Sequence, residues 1–417
     1  MKISIIGGSS FSTPCLLSFL DQANDGRKME VVLASRSRRK LDAVTRATRL
    51  LTAQGISIRT QQIADNTWHQ ILDGADCVLI QVRVGGFEGR LFDETFPHKY
   101  GLCGDEGLGA GGLSAGWRAW PAVSRILDSV AKFSPRALVV ILTSPLGLLV
   151  RAALASTDLN VVGICELPWT TLQNLRSIVR PPTGDLQADY FGVNHLGWFF
   201  NIRSRSDNLI DVVANRTGDI SFPSSAFVRT HGCVPTPYLR LHYEAEQVLR
   251  EQLSQETPRA QTLRNLRDQA YRIYESGEVG DVVSALERRP SPWYPHAVGP
   301  LLMALAGKQE GIPFFLSTPH SSYSLLLEPS DIVETAHYCV GGKLSQLPLA
   351  GPPPAHVTEN LLPFVRFERR ATEAIMRRER RLLVEALSHH PWMQENIHLE
   401  SIAEEIMKND TFVSKTN

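Results

Sequence analysis

An apolar opening run that breaks at once into glycine constrains this fold more than any other feature of the chain. Ile3-Ser4-Ile5-Ile6 leads directly into Gly7-Gly8-Ser9-Ser10, and a helix-forming stretch begins near Thr13. A buried strand, a tight turn of small residues and a helix, in that order, form the first unit of a parallel α/β sheet. The pattern then repeats. Residues 31–34 read as a second strand. A basic helix follows over 38–54, with Leu41, Val44, Ala47 and Leu51 at helical spacing. Further strands are expected at 77–81, 137–142 and 161–165. Strands alternating with helices predict a sheet with both faces covered.

The turn departs from the full G-x-G-x-x-G fingerprint, because Ser9 and Ser12 stand at its second and third glycine positions. Small side chains still let the backbone approach a pyrophosphate at a helix N-terminus. Gly7, Gly8, Ser9, Ser10 and Phe11 are therefore the expected cofactor contacts. The second strand ends in Ala34-Ser35-Arg36. An acid at that point usually holds the adenosine ribose hydroxyls, whereas Arg36 suits a 2′-phosphate. NAD is the first expectation and NADP stays open.

Composition narrows the class. Lys+Arg and Asp+Glu both number 43, so the formal net charge is zero. A generally basic nucleic-acid binder and an acidic tail are both excluded. The basic stretch Arg377–Arg381 reads as a solvated helix face. No apolar run is long enough for a membrane helix. The six cysteines are scattered without a C-x-x-C pair, which reads as reduced thiols in a cytoplasmic protein. The opening strand reads against a signal peptide, so none is expected. Beyond residue 166 the alternation is less regular. Antiparallel strands are expected over 189–203, helices over 243–274, a helix over 301–306 and paired strands at 312–316 and 321–327. A long helix over 361–387 and a frayed end over 409–417 follow. A dinucleotide-binding domain over 1–165 and an α+β domain over 166–417 are the expected division.

Five segments in order are similar to glycoside hydrolase family 4, the NAD- and metal-dependent glycosidases. They are Gly7-Gly8-Ser9-Ser10-Phe11-Ser12-Thr13-Pro14; Gln81-Val82-Arg83-Val84-Gly85-Gly86-Phe87-Glu88-Gly89-Arg90 with Gly104-Asp105-Glu106 beyond it; Gly163-Ile164-Cys165-Glu166-Leu167-Pro168; Gly192-Val193-Asn194-His195; and Pro235-Thr236-Pro237-Tyr238-Leu239-Arg240. The resemblance implies a Rossmann-type domain completed by an α+β domain, in a lactate/malate-dehydrogenase-like architecture. It also implies a homodimer or homotetramer and a small glycoside as substrate. Its chemistry departs from the usual carboxylate pair. A hydride is taken from sugar C3, the C2 proton becomes acidic and is removed, and the aglycone leaves C1.

On this resemblance Cys165 and His195 are the metal ligands, with manganese the implied ion. A neutral imidazole and a thiolate are both suitable donors. Tyr238 is the candidate C2 base, with Tyr243 and Tyr294 as rivals. Glu166 is the candidate leaving-group acid. Asn194, Arg83, Arg90 and Arg240 are candidate substrate contacts, and Asp105 and Glu106 lie in a lid-like glycine-rich loop. Ser144 is a candidate cofactor contact. It stands in Thr143-Ser144-Pro145, where the family usually has Asn before Pro. His296 replaces an acid of the family's Y-Y-S-D stretch. These departures leave the sugar's C6 substituent open among phosphate, carboxylate and none. Two other readings use the same fold: a 2-hydroxyacid or sugar dehydrogenase, and a non-catalytic nucleotide or sugar sensor.

Overall fold

The computed structural model describes residues 1–53, 55–180, 186–205, 207–216, 222–308, 312–320, 327–393 and 398–409. A single 13-stranded sheet is its spine. The first six strands are β1 (Lys2–Ile6), β2 (Glu30–Ser35), β3 (Ser57–Gln62), β4 (Cys77–Ile80), β5 (Leu138–Ile141) and β6 (Asn160–Ile164). They are parallel, in the order β3-β2-β1-β4-β5-β6. The chain builds outward from β1 to β3, then crosses back to lay β4 on the other side of β1. That reversal opens a crevice beyond the carboxyl ends of β1 and β4, the usual ligand position in such sheets.

Beyond β6 the pairing turns antiparallel. The second half adds β7 (Gln187–Val193), β8 (Leu196–Ser204), β9 (Asp207–Asn208), β10 (Cys233–Pro235), β11 (Phe314–Pro319), β12 (Ile332–Val340) and β13 (Lys343–Gln346). The order runs on as β6-β11-β12-β7-β8-β10, with β13 beside β12 and β9 beside β8. The first and second halves thus share one sheet.

Alternation along the parallel strands divides the core. Ile6, Val32, Val78, Ile80, Val139 and Ile141 face the helices Gly109–Phe133, Leu146–Ser156 and Ala355–Arg377. Ile3, Ile5, Val31, Leu33, Leu79 and Val140 face the helices Thr13–Ala23, Arg38–Leu51 and Gly299–Leu305. Each such side chain, fully removed from water, stabilises the fold by about 1.5–3 kcal/mol.

Four expectations change. Strand β3, Ser-Ile-Arg-Thr-Gln-Gln, escapes sequence detection because it is a half-exposed edge strand with one apolar residue. The long helix of 361–387 is two helices, Ala355–Arg377 and Arg380–His389, broken where Arg378 adopts φ 57°. The guanidinium of Arg378 lies over Trp117 and donates to its carbonyl at 2.6 Å. This part of the basic stretch is therefore anchored and not a solvated face. Strand β11 pairs with β12; of the expected strand at 321–327, residues 321–326 lie outside the described residues. Asn409 is not frayed: it is buried and donates to Asp93 and Ser114.

Candidate active site

The glycine turn lies at the crevice. Gly7 has φ +89°, and a Cβ there would fall 2.8 Å from the Gln81 carbonyl oxygen. Only glycine fits both demands. The turn is braced from below. The Gln81 amide donates to the Gly7 carbonyl and Thr13 Oγ1, both at 3.2 Å. Tyr271 and Tyr274, on the helix Arg259–Ser276, donate to the carbonyls of Ser9 and Phe11 at 2.6 Å. Ser9 and Ser35 share a hydroxyl hydrogen bond of 2.6 Å, and Arg36 follows on the exposed rim. Ser144 stands beyond β5 on the same side of the sheet.

Cys165 closes β6, and Glu166 behind it caps the helix Leu167–Val179. The Cys165 Sγ lies 3.6 Å from Glu166 Oε2 and accepts from the Leu167 amide at 3.5 Å. Asn194 and His195 form the two-residue turn between β7 and β8, where Val193 pairs with Leu196. His195 has φ 68°. A non-glycine residue in that region costs about 1–3 kcal/mol and is a mark of functional positions. Thr236 pins the turn by donating from Oγ1 to the His195 carbonyl at 2.7 Å. Burial pushes the His195 imidazole down to about 4, against the pull of Glu106, so it is neutral at physiological pH. Its Nδ1 is buried without a hydrogen-bond partner.

A buried acid that sequence reasoning missed joins these residues. Glu334 on β12 is fully buried, opposite Gly192 of β7. It accepts from Tyr190 at 2.7 Å and from the Asn194 amide at 3.1 Å. Burial pushes its carboxyl up to about 7, although both bonds oppose the shift. Burial, then Glu166 and Glu334, hold the Cys165 thiol well above the ordinary range. A carboxylate inside the apolar run Ile332-Val333-Glu334 was the available signal. Cys165 and His195 fit a divalent ion by donor type and by the orphaned His195 nitrogen. Among the described residues no third His, Cys, Asp or Glu completes a protein-only cluster. Open coordination positions for a substrate are the consequence.

The three tyrosines separate cleanly. The Tyr238 ring stacks on His195 with centroids 4.3 Å apart and planes at 17°. Tyr243 instead bonds His356 at 2.8 Å and Trp198 at 3.2 Å in an apolar cluster. Tyr294 donates to Gln81 Oε1 at 2.8 Å beneath the glycine turn. Burial, then Asp105, raise the Tyr238 phenol above its ordinary value, and Arg259 opposes them. The cation acting on Tyr238 is thus Arg259 and not Arg240, whose guanidinium is held by Glu244 at 2.7 Å and Glu251 at 2.8 Å.

Arg83 and Arg90 meet on one carboxylate. Arg83 pairs with Glu106, and Arg90 reaches the same Glu106 at 2.8 Å and Glu94 at 2.6 Å. Burial pushes the Glu106 carboxyl up, but Arg83 and Arg90, with Arg259, overcome it and hold it at about 2. Arg289 belongs to the same cluster: burial, then Arg90, Arg259 and Arg83, disfavour its charge, and its Nε is buried without a partner. Arg83 and Arg90 therefore hold Glu106 directly, and Arg259 and Arg289 lie within electrostatic reach of it. Sequence reasoning missed Arg259, which opens the helix Arg259–Ser276, and Arg289, which caps the end of the helix Val279–Arg288, both in charged stretches like many others. Asp105 and His195 both border Gly107: a Cβ there would be 3.3 Å from Asp105 Oδ1 and from His195 Nδ1. Burial pushes its carboxyl up to about 7.

Fold and site define an α/β protein of the dinucleotide-binding Rossmann type, completed by an antiparallel half that carries the His-Tyr pair. The family 4 glycosyl hydrolase model matches residues 2–180, and the model for that family's C-terminal domain matches residues 190–393. The chain belongs to the family 4 glycosyl hydrolases. It is 26% identical over 418 residues to the 6-phospho-beta-glucosidase BglT of Thermotoga maritima, covering 98% of each chain. It is 27% identical over 342 residues to a 6-phospho-beta-glucosidase of Escherichia coli, covering 77% of this chain and 75% of the other. A phospho-alpha-glucosidase of Clostridium acetobutylicum is 28% identical over 48% of this chain and 46% of its own. Among solved structures, the Thermotoga 6-phospho-beta glucosidase with NAD and glucose-6-phosphate superposes with a TM-score of 0.87 at 24% identity, over 99% and 98% of the chains. A 6-phospho-alpha-glucosidase from gut microorganisms with NAD and Mn2+ does so at 0.82 and 18%, over 100% and 98%.

Proposed function

We propose that this chain is a 6-phospho-β-glucosidase-like enzyme that cleaves its glycoside by oxidation at C3 and elimination across C1–C2. The observation that carries it is the stacked His195–Tyr238 pair, with Cys165 in electrostatic reach of Tyr238, and Glu106, held by Arg83 and Arg90, in reach of His195. The β-configuration is favoured because the relatives that align over three quarters or more of this chain are 6-phospho-beta-glucosidases, whereas the Clostridium α-enzyme aligns over about half.

When bound, a nicotinamide dinucleotide supplies a reversible hydride acceptor at sugar C3, and a divalent ion held by Cys165 and His195 supplies positive charge at the C2 and C3 oxygens. The chain's own residues do the rest. Arg83, Arg90, Arg259 and Arg289 bind the anionic C6 substituent; the carboxylates Glu106 and Glu94 balance only part of their charge. Tyr238, ionised to the phenolate, takes the C2 proton, and Arg259 is the cation that favours that ionisation. Glu166 gives a proton to the departing aglycone oxygen. Asn194 fixes the sugar hydroxyls and is itself fixed by Glu334. A hydroxyacid dehydrogenase would need a histidine held by a carboxylate, and the orphaned Nδ1 of His195 does not meet that need.

The test is hydrolysis in D2O of paired aryl β-glucosides, with and without a 6-phosphate, in Mn2+, cofactor and a thiol reductant. The expected result is deuterium at C2 of the released sugar and a preference of roughly 10²-fold or more in kcat/KM for the phosphorylated member. Hydrolysis without deuterium would sink the elimination route. Equal rates on both substrates would sink the arginine assignment.

A further inference from the structure

The ribose end of the cofactor crevice is basic where a dinucleotide-binding sheet ordinarily carries an acid. Strand β2 ends at Ser35, whose hydroxyl is tied to Ser9 of the glycine turn. Arg36 comes next, its backbone fixed by the Gln62 amide, which donates to the Arg36 carbonyl at 2.9 Å. Ser37 caps the 14-residue helix Arg38–Leu51. Within its first turn, Arg38 pairs with Asp42 at 3.0 Å and Arg39 with Glu275 at 2.7 Å. Lys40 turns elsewhere: its ammonium lies 5.5 Å over the ring of Tyr271. That same Tyr271 donates to the Ser9 carbonyl, so Lys40 is docked to the turn that would carry the pyrophosphate.

Charge accumulates around Lys40. Burial, then Arg267, disfavour its proton, and Arg36 adds to them. The acids that oppose the shift are Asp268 and Glu88. Asp268 is engaged by Arg267 at 2.7 Å and Glu88 by Arg264 at 3.1 Å. Arg36 and Arg267 thus crowd Lys40, while the two carboxylates nearest it are already engaged by Arg267 and Arg264. A ribose diol gains little from such a place, while a 2′-phosphate, carrying up to two negative charges, is matched by it.

We propose that Ser35, Arg36 and Lys40 form a 2′-phosphate subsite, and that this chain takes NADP in preference to NAD. The inference rests on the dinucleotide reading of the crevice. The test is direct binding to the whole protein in Mn2+, by calorimetry at low and at physiological salt. The probes are NADP+, NAD+, 2′-AMP and 5′-AMP. NADP+ is expected to bind at least tenfold tighter than NAD+, with the gap narrowing as salt rises. 2′-AMP is expected to bind more tightly than 5′-AMP. Arg36→Ala and Lys40→Gln are expected to remove most of the NADP+ preference while changing NAD+ affinity less than threefold. NAD+ binding as tightly as NADP+ would overturn the proposal and leave the dinucleotide site standing. Failure of both nucleotides to bind would overturn the dinucleotide reading and the proposal together. Equal losses for both nucleotides in the two variants would reduce these residues to structural supports.

Discussion

Replacing Tyr238 by Phe removes one oxygen and leaves the ring where it is. The stacking contact with His195, at 4.3 Å and 17°, does not need the hydroxyl. Such ring pairs contribute about 0.5–1.5 kcal/mol, which the variant keeps. The unfolding free energy is expected to change by less than ~1 kcal/mol. The reaction should respond differently. Loss of a positioned proton acceptor costs about 10²–10⁴-fold, which is roughly 2.7–5.5 kcal/mol of barrier. Tyr243→Phe reverses the pattern. It breaks the bonds to His356 and Trp198 inside an apolar cluster. About 1–3 kcal/mol of stability should be lost, with turnover little changed. The assay reads kcat/KM and C2 deuterium incorporation for both variants, beside urea unfolding. Tyr238→Phe turning over within tenfold of wild type, with C2 exchange intact, would refute the assignment of the base. So would a Tyr243→Phe variant that folds normally and has lost exchange.

Three further outcomes follow from the geometry. Cys165→Ser should weaken Mn2+ binding by roughly 10–100-fold, read from the free-ion electron paramagnetic resonance signal, because one of the two proposed protein donors becomes a poor ligand. Arg118→Met should cost about 3–5 kcal/mol in urea unfolding, since it strands the fully buried Asp93 carboxylate, which Arg118 grips with both guanidinium nitrogens. Glu368 is packed against Gly147 at the start of the helix Leu146–Ser156, and burial pushes its carboxyl up to about 8 from 4.5 although Arg151 opposes it. An acid with a raised folded-state value contributes stability that is complete below pH 4.5 and is lost as pH rises through about 8. Glu368→Gln should therefore flatten the decline of unfolding free energy between pH 5 and 8 by at most ~2–4 kcal/mol, and an unchanged slope would show that Glu368 does not titrate there.

The parallel half was legible because its strands obey local rules. Each is a short apolar run followed by a turn and a helix, and buried strands of a parallel sheet must read that way. The edge strand β3 shows the limit, since a strand covered on few sides carries few apolar residues. The long C-terminal helix shows another. Apolar residues stand at helical spacing on both sides of 378, at Ala371, Ile375, Leu382 and Leu383, and the break coincides with the contact of Arg378 with Trp117, 261 residues away in sequence. Among the site residues, Cys165, Asn194, His195 and Tyr238 stood in recognisable segments. Arg259, Arg289 and Glu334 did not. A buried carboxylate or an arginine in a charged helix looks like any other until its neighbours are known.

Local sequence, then, determined the glycine turn, the order of strands and helices, the resemblance that names the family and the residue types offered to a metal and a sugar. Those properties depend on residues adjacent in the chain. Tertiary structure alone decided which tyrosine meets His195 and that Glu106, held by Arg83 and Arg90, lies in reach of Arg259 and Arg289. It also decided that Lys40 docks over the ring of Tyr271. Each of these is a contact between segments far apart in sequence, and electrostatic energies fall with distance in space, which the order of residues along a chain does not encode.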